Sequence, residues 1–261
     1  MRILPEAVTA MGRSTVATLR HLGAYTIMVL ETFREILKPP YELSRLIYEV
    51  DHLGVRSLSI VTITALFTGM VLAMQSAYSL ASFGAKLYVA KIVSLSLVRE
   101  LGPVLTALMV AGRVGAGITA EIGSMAVTEQ VDAIRVLGAS PVRKLVVPKV
   151  LATLIMLPLL TTLADVVGIL GGLVISVTQL NIGASFYWNQ VIHTVLMDDF
   201  LSGIGKSVFF ALFISTIGCY NGLTTTGGAD GVGRATTLTV VLASISVLIS
   251  DFFLTKLFLM L

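Results

Sequence analysis

The chain is built from long apolar runs separated by short polar intervals. Windows of about 20 apolar residues, enough to cross a hydrocarbon core about 30 Å thick, fall at Leu53–Ala81, Leu87–Ala111, Leu145–Leu180, Leu201–Tyr220 and Thr237–Leu261. The runs are continuous rather than alternating, and an open sheet edge cannot face lipid, so five membrane-crossing helices are expected. The third run is too long for one upright span. It is expected to tilt or extend beyond the bilayer, with Pro158 and the Gly168, Gly171, Gly172 cluster as places to bend. Gly168-xxx-Gly172 and Gly218-xxx-Gly222 have the spacing that lets helices approach closely.

The polar intervals carry the remaining pattern. LGAYTIMVL is interrupted by Glu31, Arg34 and Glu35, and Lys38-Pro39-Pro40 breaks any helix, so no full span precedes residue 53. YELSRLIYEVDHLG then sets Leu43, Leu46, Ile47, Val50 and Leu53 at helical spacing opposite Glu42, Arg45, Glu49 and Asp51. That pattern fits a helix lying in the membrane interface, or a soluble helix packed on a partner.

The longest interruption is GRVGAGITAEIGSMAVTEQVDAIRVLGASP, residues 112–141. It reads as a loop holding two short amphipathic pieces, Ile118, Ile122 and Met125, then Val127, Val131 and Ile134. The second piece is expected to stop at Gly138, with Pro141 just beyond. Its other face shows Glu129, Asp132 and Arg135, which suits docking into a groove on a partner. Resting on lipid headgroups is the other reading, and acids facing an anionic leaflet argue against it.

Composition narrows the class. Of 261 residues, 56% are hydrophobic and only 13% charged, against about 25% charged in soluble domains. One integral membrane bundle, residues 1–261, fits this better than soluble domains. Residues 1–52 would be an interfacial elbow, 53–261 the five-span bundle and 112–141 its coupling region. The net charge of +3 is too small to suggest nucleic acid. The single cysteine, Cys219, excludes an intramolecular disulfide. MRILPEAVTAMGRST lacks a signal peptide's apolar core. Of the 18 Lys and Arg, seven fall in residues 1–56, five (Arg113, Arg135, Arg143, Lys144, Lys149) between spans two and three or at the start of span three, and Arg234 precedes span five. Lys86, Lys91, Lys206 and Lys256 lie toward the other side, and Arg99 lies within span two. The positive-inside rule then places the N-terminus and the 112–141 stretch in the cytoplasm.

Candidate chemistry lies inside the spans. Arg99, Glu100, Asp165, Lys206 and Asp251 each cost about 2.5–3.5 kcal/mol to insert. Adjacent helical residues point about 100° apart, so Arg99 and Glu100 need partners on other helices. Lys206 and Asp251 have opposite charge and both fall in the outer half of their spans. Such charges fix the bundle by interhelical pairing or line a cavity that receives a polar or anionic group. Gly205-Lys206-Ser207 is not a phosphate-binding loop, because Phe200 stands where that motif needs glycine. The glycines of GAGITA belong to no βαβ unit. His21, His52 and His193 are scattered, so neither a metal site nor a hydrolytic site is expected.

LSLVRELGPVLTALMVAGRVGAGITAEIGSMAVTEQVDAIRVLGASPVRKLVVPKVLA, residues 95–152, resembles the signature region of MlaE-type (YrbE) permeases. The resemblance extends through Phe67–Leu72 and Tyr220-Asn221-Gly222 to Gly233–Thr237. It implies a homodimer of five-span subunits with interfacial N-terminal helices in a bacterial inner membrane. It further implies two cytoplasmic ATPase subunits that bind ATP and Mg, an MCE-protein hexamer on the periplasmic face, and often a small STAS-domain protein. Such systems move phospholipids between the inner membrane and the periplasm and maintain outer-membrane asymmetry. This chain would carry no cofactor and would not be an enzyme. A lipid pocket would take Leu72, Leu80, Phe83 and Leu101 as walls and Arg99 as a bidentate phosphate ligand. Glu100, Lys206 and Asp251 would form intramembrane pairs, and Glu121, Glu129, Asp132 and Arg135 would couple to the ATPase. A secondary transporter using these charges as an ion relay, or a non-transporting scaffold, are the other classes.

Overall fold

The structure, a computed structural model, describes residues 3–39 and 43–260. Arg2, Pro40, Glu42 and Leu261 of the reading above lie outside the described residues. Eight helices follow in chain order: α1 (Ile3–Ile36), α2 (Leu43–Ala81), α3 (Lys86–Val127), α4 (Gln130–Val136), α5 (Val142–Thr178), α6 (Ala184–Thr194), α7 (Met197–Leu223) and α8 (Gly228–Met260). Among the described residues there is no strand. The five expected spans correspond to α2, α3, α5, α7 and α8, each long and apolar enough to cross a membrane. They alternate in direction, so α4 and the 224–227 turn share one end of the bundle, here the loop end. The 82–85 turn and α6 share the far end.

Each span except the third extends well beyond its apolar run. Segment 43–53 is not a separate helix. It runs through a π turn (Val50–Gly54) and a 3-10 turn (Val55–Ser57) into the apolar part of α2. Its supposed solvent face is partly buried, because Glu49 packs against α5 at 2% exposure. Residues 112–127 are likewise helix rather than loop. Ile118 and Ile122 are completely buried against α7 and α8, so the interruption shortens to residues 128–141. Small residues explain this, since Gly115, Gly123, Gly218 and Gly222 let the helices meet with little side-chain volume between them. The amphipathic helix outside the bundle is instead α1. It lies over the loop end, with Tyr25 Oη 2.8 Å from Thr216 Oγ1 and His21 Nδ1 3.0 Å from Tyr220 Oη. Its exposed face carries Val16, Leu19, Ile27 and Leu30.

The interior is built on α5, which runs unbroken through Pro158. A Cβ on Gly69 of α2 would collide with the Gly168 carbonyl of α5, so glycine sets the contact between these two helices. Gly172 is closed over by Tyr187 of α6, whose hydroxyl donates to the Ile169 carbonyl at 3.2 Å. α2 and α8 are the least enclosed spans, and α8 leaves Leu242, Ile245, Ile249 and Phe252 exposed.

Four π turns interrupt the α-helical hydrogen bonding: Val50–Gly54, Leu97–Leu101, Ala111–Gly115 and Val142–Val146. Each adds a residue to one turn and rephases everything beyond it. Each also carries titratable side chains, among them His52, Arg99, Glu100, Arg113 and Arg143.

Candidate functional site

At the far end the Leu97–Leu101 π turn presents Arg99 and Glu100 to different partners. Arg99 Nε donates to Asp199 Oδ1 at 2.5 Å, and the guanidinium also pairs with that oxygen through Nη2. Asp199 is positioned by the start of α7, where its Oδ2 accepts from the Leu196 backbone N–H at 3.0 Å. Lys206 of α7 is 1% exposed and its ammonium has three N–H groups. They reach Glu100 Oε2 at 2.7 Å, Thr255 Oγ1 at 2.7 Å and the Arg99 carbonyl at 3.0 Å. Asp251 Oδ1 stands 3.3 Å from the same nitrogen but accepts no hydrogen bond from the described residues. The expected Lys206–Asp251 pair is therefore in contact, but Glu100 holds the hydrogen bond.

These groups divide two clefts. One, of about 380 Å³, is lined by Arg99, Glu100, Asp198, Asp199, Ser202, Lys206 and Thr255. Three of its charged side chains are acids and two are bases, so it suits a group bearing both signs better than a plain anion. The other, about 500 Å³, is lined by Glu100, Leu248, Asp251, Phe252, Thr255, Lys256 and Met260, with apolar atoms giving most of its surface. Leu72, Leu80, Phe83 and Leu101 line neither. Leu72, Leu80 and Leu101 pack on the far-end core, and Phe83 is 83% exposed beside the 82–85 turn. Within one chain, then, the residues expected around a lipid are not brought together with Arg99.

A second charge cluster, at the loop end, escaped the sequence reading. Lys149 is fully buried, with Glu49 Oε1 and Oε2 at 2.8 and 3.0 Å and Glu121 Oε2 at 2.6 Å. Glu121, expected to couple to an ATPase, is bonded inside the bundle. Asp165 at mid-span is 4% exposed, and its Oδ1 accepts no hydrogen bond from the described residues. The missed residues Glu49, Lys149 and Asp199 had signals of a kind. Glu49 and Lys149 were charges beside apolar runs, and Asp-Asp opens a helix at 198–199.

The 128–141 connection presents α4 outward. Glu129 holds a left-handed φ of 61°, uncommon for a residue with a Cβ, and turns the chain sharply after α3. Gly138, at φ 74°, ends the element as expected, its N–H bonded to the Arg135 carbonyl at 2.9 Å. Val131 is buried, whereas Asp132 and Arg135 pair in the open at 2.8 Å, and Val136 and Leu137 are more than 80% exposed.

A bundle of five apolar helices that keeps polar clefts within it defines a multi-pass membrane protein of the permease kind. The family model described as Permease MlaE matches residues 46–257. A probable ABC transporter permease protein of Rickettsia felis is 41% identical over 256 residues, covering 98% of this chain and 99% of that one. A probable ABC transporter permease protein of Synechocystis is 44% identical over 235 residues, 90% and 89% of the two chains. The intermembrane phospholipid transport system permease protein MlaE of Haemophilus influenzae is 37% identical over 251 residues, 95% of each. The chain belongs to the MlaE permease family.

Proposed function

We propose that the chain is the membrane subunit of an ATP-driven phospholipid transporter in a bacterial inner membrane. It works as a homodimer with two cytoplasmic ATPase subunits that bind ATP and Mg, and hands lipid to or from an MCE hexamer, with a STAS-domain subunit in some assemblies. By positive-inside counting the loop end is cytoplasmic. The observation that carries the reading is the far-end cleft, where Arg99, Lys206 and three acids stand beside a mostly apolar cleft. A headgroup bearing both charges fits the first cleft and acyl chains fit the second. In this reading a second copy of the chain completes the apolar walls, with Leu72, Leu80 and Phe83 expected to contribute to them.

On the cytoplasmic side α4 supports docking of the ATPase. Val136 and Leu137 are apolar side chains left in the open beside Glu129, Asp132 and Arg135, a composition suited to a groove on a partner. In this reading the transporter maintains outer-membrane lipid asymmetry, with energy supplied by the partner ATPase. The test is co-purification. Glu129→Lys with Asp132→Lys should release the ATPase while the permease stays folded in the membrane. Unchanged co-purification would sink the docking role of α4, and a monomer that still supports lipid transfer would sink the dimer.

A further inference from the structure

A cleft of about 490 Å³ lies at the loop end between α2 and α3, and nothing above uses it. Its floor is a single stripe of α3, with Arg113, Gly117 and Glu121 all lining it, and its wall is Tyr48 and His52 of α2. The two wall rings stack, with centroids 5.8 Å apart and planes 17° from parallel. Gly117 keeps the floor open, since a Cβ built there would meet nothing within 4 Å.

The polar groups here have unspent capacity. Arg113 Nη1 donates to Ser57 Oγ at 2.5 Å, but no carboxylate among the described residues pairs with its guanidinium. Four other N–H groups on that side chain are left over. Glu121 gives Oε2 to Lys149, and its Oε1 accepts nothing from the described residues. A half-buried cation with no counter-ion is costly, so an anionic group should fill the place. The Glu121 carboxylate, 45% exposed at the other end of the stripe, leaves Oε1 open to a cationic group.

Position decides where such a ligand comes from. The α3 helix has 42 residues, about 60 Å at 1.5 Å per residue, so it overshoots a hydrocarbon core of about 30 Å. Arg113 follows directly on the apolar run of span two, which places the cleft at headgroup level. Val55 and Leu58, exposed on α2, continue from the cleft toward mid-membrane and give acyl chains a surface.

We infer that this cleft binds the headgroup of a zwitterionic phospholipid of the cytoplasmic leaflet, phosphate on Arg113, ammonium on Glu121. The site is separate from the far-end cleft and does not rest on the transport reading. Its test reads binding alone, so either proposal can fail without the other.

The full chain in mild detergent is titrated with phosphatidylethanolamine, phosphatidylglycerol or inorganic phosphate, and bound lipid is counted by native mass spectrometry. Gly117→Leu puts a side chain on the floor, where a Cβ meets nothing within 4 Å, and should remove one lipid per chain at an unchanged unfolding temperature. Arg113→Gln should weaken that lipid about tenfold, the factor a charge-assisted hydrogen bond contributes. Glu121→Gln should erase the preference for phosphatidylethanolamine over phosphatidylglycerol. Inorganic phosphate should not displace the lipid. A folded Gly117→Leu protein with its full lipid complement overturns the site. Displacement by inorganic phosphate as readily as by lipid reduces it to an anion site and overturns the headgroup assignment. Loss of ATPase co-purification with lipid intact in Gly117→Leu overturns it in favour of a protein-docking surface.

Discussion

The two buried lysines make an instructive pair. Lys149 at the loop end and Lys206 at the far end are both sealed from solvent, and both stand between two carboxylates. Lys149 gives all its hydrogen bonds to carboxylates. Lys206 gives one to Glu100, one to a hydroxyl and one to a carbonyl, so Asp251 is left close but unbonded. Similar charges thus serve different ends. The loop-end cluster is saturated around its lysine and fastens α2, α3 and α5 together. The far-end cluster keeps a carboxylate in reserve between two clefts.

The largest effect should follow from breaking the saturated cluster. Lys149→Ala leaves Glu49 buried and unpaired, a loss of about 3–5 kcal/mol, seen as a collapse in folded yield and thermal stability. Lys149→Met with Glu49→Leu should recover most of it, because apolar replacement of a buried pair is often neutral. Next comes Lys206→Ala. Glu100 and Asp251 reach the clefts and can hydrate, so the loss should be about half as large. If Lys206→Ala proves the more damaging, the contrast between the two ends is wrong. Exchanging charges through Lys206→Asp with Asp251→Lys should rescue less than Lys206→Met with Glu100→Gln, since the exchange sets a second carboxylate against Glu100.

Arg99→Ala comes third. Its ion pair is half open, so stability should change by about 1 kcal/mol or less, while lipid co-purifying with the far-end cleft falls about tenfold. The smallest effect belongs to Glu35 on α1, outside both clusters. The hydrogen bond from Lys38 holds its carboxyl below the usual value. A lowered folded pKa means that its stabilising contribution is present above the ordinary carboxylate value of about 4.3 and is lost as pH falls through the folded value. Glu35→Gln should therefore leave thermal stability at pH 7 nearly unchanged and flatten any dependence below pH about 4.

The apolar centres of the five spans were legible from hydropathy alone, as was the stop at Gly138. Arg99 and Glu100 were also read as needing partners on other helices, and both find a charged partner on α7. The ends of the helices were not legible, because a helix that leaves the bilayer continues through polar residues when its neighbours pack on it. Ile118 and Ile122 looked like loop anchors until α7 and α8 covered them. Glu49 was read on a polar face, which helical spacing can define without saying what that face meets. Lys149 counted as a loop charge for the same reason. The π turns shift phase by one residue and leave no trace in hydropathy, so nothing in the sequence brought His52 and Arg113 together in one cleft.

The unbroken length of α3 has a mechanical consequence. One rod joins the polar groups of the far-end cleft to the sharp corner at Glu129, where α4 begins. Over about 60 Å, a tilt of about 5° swings one tip by about 5 Å if the other is pinned. That stroke is about one helical pitch. The π turns at Leu97–Leu101 and Ala111–Gly115 are the places along the rod where such a stroke can be absorbed as twist, and Arg99 and Arg113 sit one in each. Any movement of the corner at Glu129 is thus carried to both guanidinium groups by one helix.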